Sequence, residues 1–147
     1  MQHKILTALS LTLIVATNTN AAESIKWEYS GSTGPEHWGQ LAPQFALCGS
    51  GKNQTPIDLN SFIDAEMPPI AFDYTTHPNI ILNNGHTVQA NYASGSIISV
   101  DKNEFELKQI HFHAPSENLI NGQAFAMEAH LVHADKDGNL AVVAVMF

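Results

Sequence analysis

The chain has 147 residues, 44% of them apolar, which allows one folded domain with one core and excludes a disordered segment. Six Lys and Arg stand against 14 Asp and Glu, a net charge of -8. That balance argues against a nucleic-acid partner, which requires a basic footprint.

Residues 1–21 read as a secretory signal. Lys4 gives a positive start, 5–16 is a short apolar run, and Thr19-Asn20-Ala21 offers small residues for cleavage before Ala22. The run is too short for a stable membrane anchor, so the expected location is periplasmic or secreted. In that oxidising setting Cys48 has no partner within the chain. Residues 23–51 carry Gly31-Ser32-Thr33-Gly34-Pro35 and Cys48-Gly49-Ser50-Gly51 and read as loops with a short helix near 35–38. Trp27, Tyr29, Trp38 and Phe45 are expected to pack this arm onto the body of the domain. Gly49-Ser50-Gly51-Lys52 lacks the full pattern of a phosphate loop.

A short segment follows at 54–59, where Pro56 favours an edge, and an extended piece runs through 68–74. Ile80-Ile81-Leu82 leads into a tight turn at Asn83-Asn84-Gly85. Strands are predicted at 86–91, 97–100, 104–112, 124–132 and 140–146, with Asn121-Gly122 and Asp137-Gly138 as turn pairs. Alternation puts Phe105, Leu107, Gln109 and His111 on one face, and Glu128, His130 and Val132 on another. The class is mainly β with minor α, mostly antiparallel. The apolar run at 141–147 needs strand neighbours. With the lone Cys48, it leads us to expect residues 22–147 to be the N-terminal portion of a longer domain, incomplete at its C-terminus.

The chemistry concentrates in His111-Phe112-His113 and Glu128-Ala129-His130. On a strand, His111 and His113 aim two imidazoles to one side, and a neighbouring antiparallel strand can add His130. Three imidazoles leave the fourth position of a tetrahedral Zn²⁺ open, the layout of a catalytic site. Their neutrality leaves the metal charge free to acidify water. Gln109 and Glu128 each lie two residues before a ligand, on its face, and are placed to hold its second nitrogen. A carboxylate turned into a sheet is costly without a partner, which sets Glu128 apart from a surface Glu. His133 falls on the opposite face from His130 and reads as a packed core histidine.

At these residues the chain resembles the α-class carbonic anhydrases, particularly bacterial exported ones. The blocks are Gly34-Pro35-Glu36-His37-Trp38, Gln54-Thr55-Pro56-Ile57, Asn83-Asn84-Gly85-His86, Gln109-Ile110-His111-Phe112-His113, Ser116-Glu117-Asn118 and residues 127–133. The resemblance implies a large twisted, mostly antiparallel sheet with Zn²⁺ at the bottom of a conical cavity. It implies His111, His113 and His130 as ligands, oriented in part by Gln109 and Glu128. It implies Glu117 as the buried glutamate that holds a hydroxyl-bearing gatekeeper, and His86 as the proton shuttle. Val132 and Val142 would line the carbon dioxide pocket, and Tyr29 and Gln89 its polar side. The implied partners are carbon dioxide, bicarbonate and water, and the implied reaction is reversible hydration. Beside this stand a truncated, non-catalytic zinc-binding relative and a different secreted zinc hydrolase. The His-Glu-x-x-His helix motif of many such hydrolases is missing from the sequence.

Overall fold

The computed structural model describes residues 25–147, so the signal read at 1–21 lies outside the described residues. The N-terminal arm is a chain of short helical turns. Pro35–His37 forms a 3-10 turn that runs into α1 (Trp38–Leu41), and Pro43–Phe45 does the same for α2 (Ala46–Ser50). Proline suits both starts, since its φ is already helical and it has no N–H to leave unpaired. The sequence places only the first of these helices and reads the second as loop. Trp27, Tyr29 and Trp38 meet edge to face, with ring centroids 5.3 to 5.9 Å apart. Trp38 Nε1–H donates to the carbonyls of Glu28 and Thr33, at 3.1 and 3.0 Å, and so ties the arm to itself.

The strands in chain order are β1 (Asp58–Leu59), β2 (Ala71–Asp73), β3 (Pro78–Asn83), β4 (Val88–Tyr92), β5 (Ile97–Val100), β6 (Asn103–His113), β7 (Leu119–Ile120), β8 (Glu128–Ala134) and β9 (Leu140–Met146). β1 and β7 form a small parallel pair. The other seven make one sheet in which every pairing is antiparallel. The mainly β, mostly antiparallel class read from the sequence is therefore the fold observed. β6 is the spine. One of its edges is shared by β5 and then β4, and the other pairs with β8, which pairs with β9.

Three departures from the expected strands have physical causes. β4 begins at Val88, not at 86, because Asn84 Oδ1 accepts the backbone N–H groups of His86 and Thr87, both at 2.9 Å. Gly85 supplies the positive φ of +92° that this turn requires. His86 therefore stands on the turn. β8 begins at Glu128, not at 124, because Phe125 is held back against Ser116. Its N–H donates to Ser116 Oγ at 2.8 Å, and its carbonyl accepts from the Ser116 N–H at 3.0 Å.

The third departure is a bulge. The β6–β8 register pairs Leu107 with His133 but Gln109 with Val132, so Lys108 is an additional residue. A one-residue slip moves side chains to the opposite face. Leu107 thus joins His133 on the core side, away from His111 and His130, which corrects the single-face alternation expected from the sequence. The core is small: Ile98 and Leu107 are 1% exposed, and His133 and Ser96 are fully buried. Larger apolar groups, Ile63, Met67 and Leu140 among them, remain exposed.

His133 is satisfied on both nitrogens. Tyr74 Oη lies 2.7 Å from Nε2, and Nδ1 lies 3.3 Å from the Ala141 carbonyl. An Nδ1–H donating to Ala141 and an Nε2 accepting from Tyr74 describe one neutral tautomer. Burial holds the His133 pKa below its ordinary value. Tyr74→Phe should cost about 1–3 kcal/mol in urea unfolding at pH 7.5, because Nε2 loses its donor. A histidine with a lowered folded pKa contributes stability that is present above 6.5 and lost as pH falls below it. The unfolding midpoint should therefore drop between pH 7 and pH 5.

Candidate metal centre

β6 presents His111 and His113 at alternate positions, and the β6–β8 register sets His111 directly across from His130. The three ring centroids are 4.7 to 5.1 Å apart, and one coordinating nitrogen from each ring lies within 4.8 Å of the others. His130 is buried, and His111 and His113 are half-buried. Burial lowers the pKa of His111 and His113, and the neighbouring imidazoles lower them further. Both rings are neutral at pH 7 and keep lone pairs for an ion.

The supporting shell decides which nitrogen faces inward. Gln109 Oε1 lies 2.8 Å from His111 Nδ1, which leaves His111 Nε2 for an ion. Glu128 Oε1 lies 3.2 Å from His130 Nε2, close but without hydrogen-bond alignment, which leaves Nδ1 on the inner side. Glu128 is fully buried, and it is held by more than the histidine. Its Oε2 accepts the backbone N–H groups of Glu117 and Asn118 at 2.8 and 2.9 Å, and Oε1 accepts from Asn118 Nδ2 at 2.6 Å. Burial alone would raise its pKa, but these bonds outweigh it and hold the carboxyl below its usual range.

His113 Nε2 is buried without a hydrogen-bond partner, and a cation would satisfy it. Three imidazoles fit Zn²⁺ by donor type, and they leave a position open for water.

The other residues singled out in the sequence lie at varying distances from this cluster. Tyr29 Oη is 3.5 Å from His113 Nδ1. Burial and then the charge of Glu117 push the Tyr29 pKa up to about 12. His86 is stacked on Trp27, with centroids 3.7 Å apart and planes at 9°. It shares a cavity of about 510 Å³ with Tyr29, His113 and Glu117. Gln89 sits opposite His111 in the β4–β6 register and donates to Asn91 Oδ1 at 2.7 Å. Val142 lines a second cavity, of about 610 Å³, with Glu117 and His130. Val132 pairs with Val142 across β8 and β9 but does not line that cavity. Sequence reasoning missed the Asn118 clamp on Glu128 and the Trp27 stack on His86. Asn118 stood inside a recognised block, but its target is ten residues away and only folding brings them together.

The profile of the eukaryotic-type carbonic anhydrases matches residues 33–146. A carbonic anhydrase of Pectobacterium atrosepticum is 43% identical over 140 residues, which are 95% of this chain and 57% of that protein. The structure of an α-carbonic anhydrase from Thermovibrio ammonificans, solved with the inhibitor sulfanilamide, superposes with a TM-score of 0.81 at 46% identity. That superposition covers 84% of this chain and 56% of that one. Dioscorin dioA3 of Dioscorea japonica is 33% identical, over 99% of this chain and 55% of that protein. The chain spans somewhat over half the length of these relatives.

Gln109→Ala should weaken zinc binding by about 10–100-fold in competition with a chromogenic chelator, since His111 loses its orienting acceptor. Because the His111 and His113 pKa values lie below 6.5, acid-driven release of metal should have its midpoint below that pH.

Proposed function

The chain belongs to the eukaryotic-type carbonic anhydrase family, and from that we propose that it is the N-terminal portion of an exported α-class carbonic anhydrase, periplasmic or secreted. The reaction is the reversible hydration of carbon dioxide to bicarbonate and a proton. The observation that carries this reading is the convergence of His111, His113 and His130 with Gln109 and Glu128 behind them.

These three histidines would hold Zn²⁺, which when bound lowers the pKa of a water to near neutrality. Gln109 fixes the His111 ring, and Glu128, steadied by Asn118, faces His130 Nε2 at 3.2 Å. Val142, with Val132 beside it in register, supplies the apolar wall for carbon dioxide. Tyr29 and Gln89 keep the opposite side polar. His86, on an exposed turn at the rim of the cavity shared with His113, is placed to pass the released proton to buffer. Its stacking on Trp27 gives the imidazole a defined resting place. A second reading, a zinc-binding relative without turnover, draws support from the position of Glu117 beside His113 and His130.

The test is stopped-flow carbon dioxide hydration by the zinc-loaded product of the whole gene, with metal content measured alongside. His130→Ala should lose both zinc and rate. Normal zinc content in that variant would remove the ligand assignment. His86→Ala should keep its zinc and lose rate in weak buffer, on the order of the 10²-fold that positioned acid–base groups contribute. Added imidazole buffer should restore much of it, and an unchanged rate in weak buffer would leave His86 a structural residue.

A further inference from the structure

Thr87 has its backbone in one feature and its side chain in another. The backbone closes the tip of the β3–β4 hairpin. Its N–H donates to Asn84 Oδ1 at 2.9 Å, the oxygen that also takes the His86 N–H, and its carbonyl accepts the Asn84 N–H at 3.2 Å. The side chain reaches β6. Oγ1 donates to the Phe112 carbonyl at 2.5 Å and accepts the Phe112 N–H at 3.1 Å. Oγ1 also lies 3.1 Å from the Val88 carbonyl, but a hydroxyl has one proton and the Phe112 carbonyl is the nearer acceptor.

The β4–β6 register shows why a side chain is used there. It ends at Gln89 and His111, and one more step would set Val88 against Phe112. The Thr87 hydroxyl takes both backbone groups of Phe112 in that place. Phe112 separates the two histidines of β6 and is 38% exposed, so packing does little to hold it. From the other edge β8 supports this end of β6 through the pairs His111–His130, Phe112–Ala129 and His113–Glu128. The histidines therefore keep their place through β8, whereas the tip that carries His86 relies on Thr87 for its hold on β6.

We propose that Thr87 is a positioning residue for proton transfer: its hydroxyl ties the turn that carries His86 to the backbone between His111 and His113, and so sets the reach from His86 to the metal centre. This rests on the hydration reading above and on His86 as the shuttle. His86 and His113 line one cavity, and the rate at which a proton crosses it depends on where the accepting imidazole stands. The Trp27 stack orients the His86 ring, and Thr87 fixes the backbone from which that ring extends.

The zinc-loaded product of the whole gene is compared with Thr87→Val, which keeps the shape and removes the hydroxyl, and with Thr87→Ser, which keeps the hydroxyl. Folding is checked by circular dichroism. Thr87→Val should keep its zinc and lose about tenfold in stopped-flow rate in weak buffer, a part of the 10²-fold that a positioned acid–base group contributes. Added imidazole should restore most of that loss, and Thr87→Ser should retain most of the unmodified rate. The Phe112 amide should exchange with deuterium at least about tenfold faster in Thr87→Val than in the unmodified protein. In a His86→Ala background Thr87→Val should cost no further rate, because the group it positions is gone. An equal further loss in that background, or an unchanged rate for Thr87→Val in weak buffer, overturns the role of Thr87 and leaves the hydration reading standing. If His86→Ala costs no rate, the shuttle and Thr87 fall together while zinc hydration stands. If the unmodified enzyme carries its zinc and hydrates no carbon dioxide, the hydration reading falls too. Where Thr87→Val fails to fold, Thr87→Ala is read by the same criteria. A Phe112 amide that exchanges in the unmodified protein as fast as in an unstructured peptide overturns the clamp without any variant.

Discussion

The register between β6 and β8 is the constraint on which the site depends. It sets His111 opposite His130 and Gln109 opposite Val132, while Lys108 is accommodated as a bulge. Without that slip, the core face and the site face of β6 would carry the wrong residues. With it, Leu107 and His133 fill the core on one side, and the imidazoles gather on the other. A bulge in the spine strand thus lets one strand serve both a packed interior and a polar cluster.

The second requirement is a stable home for a buried negative charge. Glu128 is fully enclosed, where an isolated carboxylate would be costly. Two backbone N–H groups and the Asn118 amide meet it, and His130 lies on its remaining side. The same bonds fix the 117–118 segment and so place the Glu117 side chain at the cluster. The approach of Glu128 to His130 and the placement of Glu117 beside the cluster are therefore consequences of one hydrogen-bonded group.

The arm brings Tyr29, Pro35 and Trp38 to one wall of the cavity. Trp27, Tyr29 and Trp38 pack among themselves, and from that cluster Trp27 stacks on His86 while Tyr29 reaches His113. Residues far apart in sequence meet because aromatic rings bury large surfaces with few rotatable bonds. On the other side, Val142 opens onto a cavity beside His130. The described residues thus give the centre two approaches, one bearing Tyr29 and His86 and the other Val142 and Met146.

The sequence by itself determined the antiparallel β class, the strands at 97–100 and 140–146, and the same-face pair His111 and His113 with Gln109 behind it. These are local: strand alternation fixes which side chains share a face, and His-x-His with Gln two residues earlier needs nothing more. The tertiary structure decided what depends on distant partners. It supplied the bulge at Lys108, which shows only when β8 is laid beside β6. It set His86 on a turn held by Asn84, clamped Glu128 with Asn118, and brought the Glu117 carboxylate to His113 and His130. Alternation along one strand carries no information about the register of the next. Hydrogen bonds between segments ten or more residues apart exist only once the chain has closed on itself.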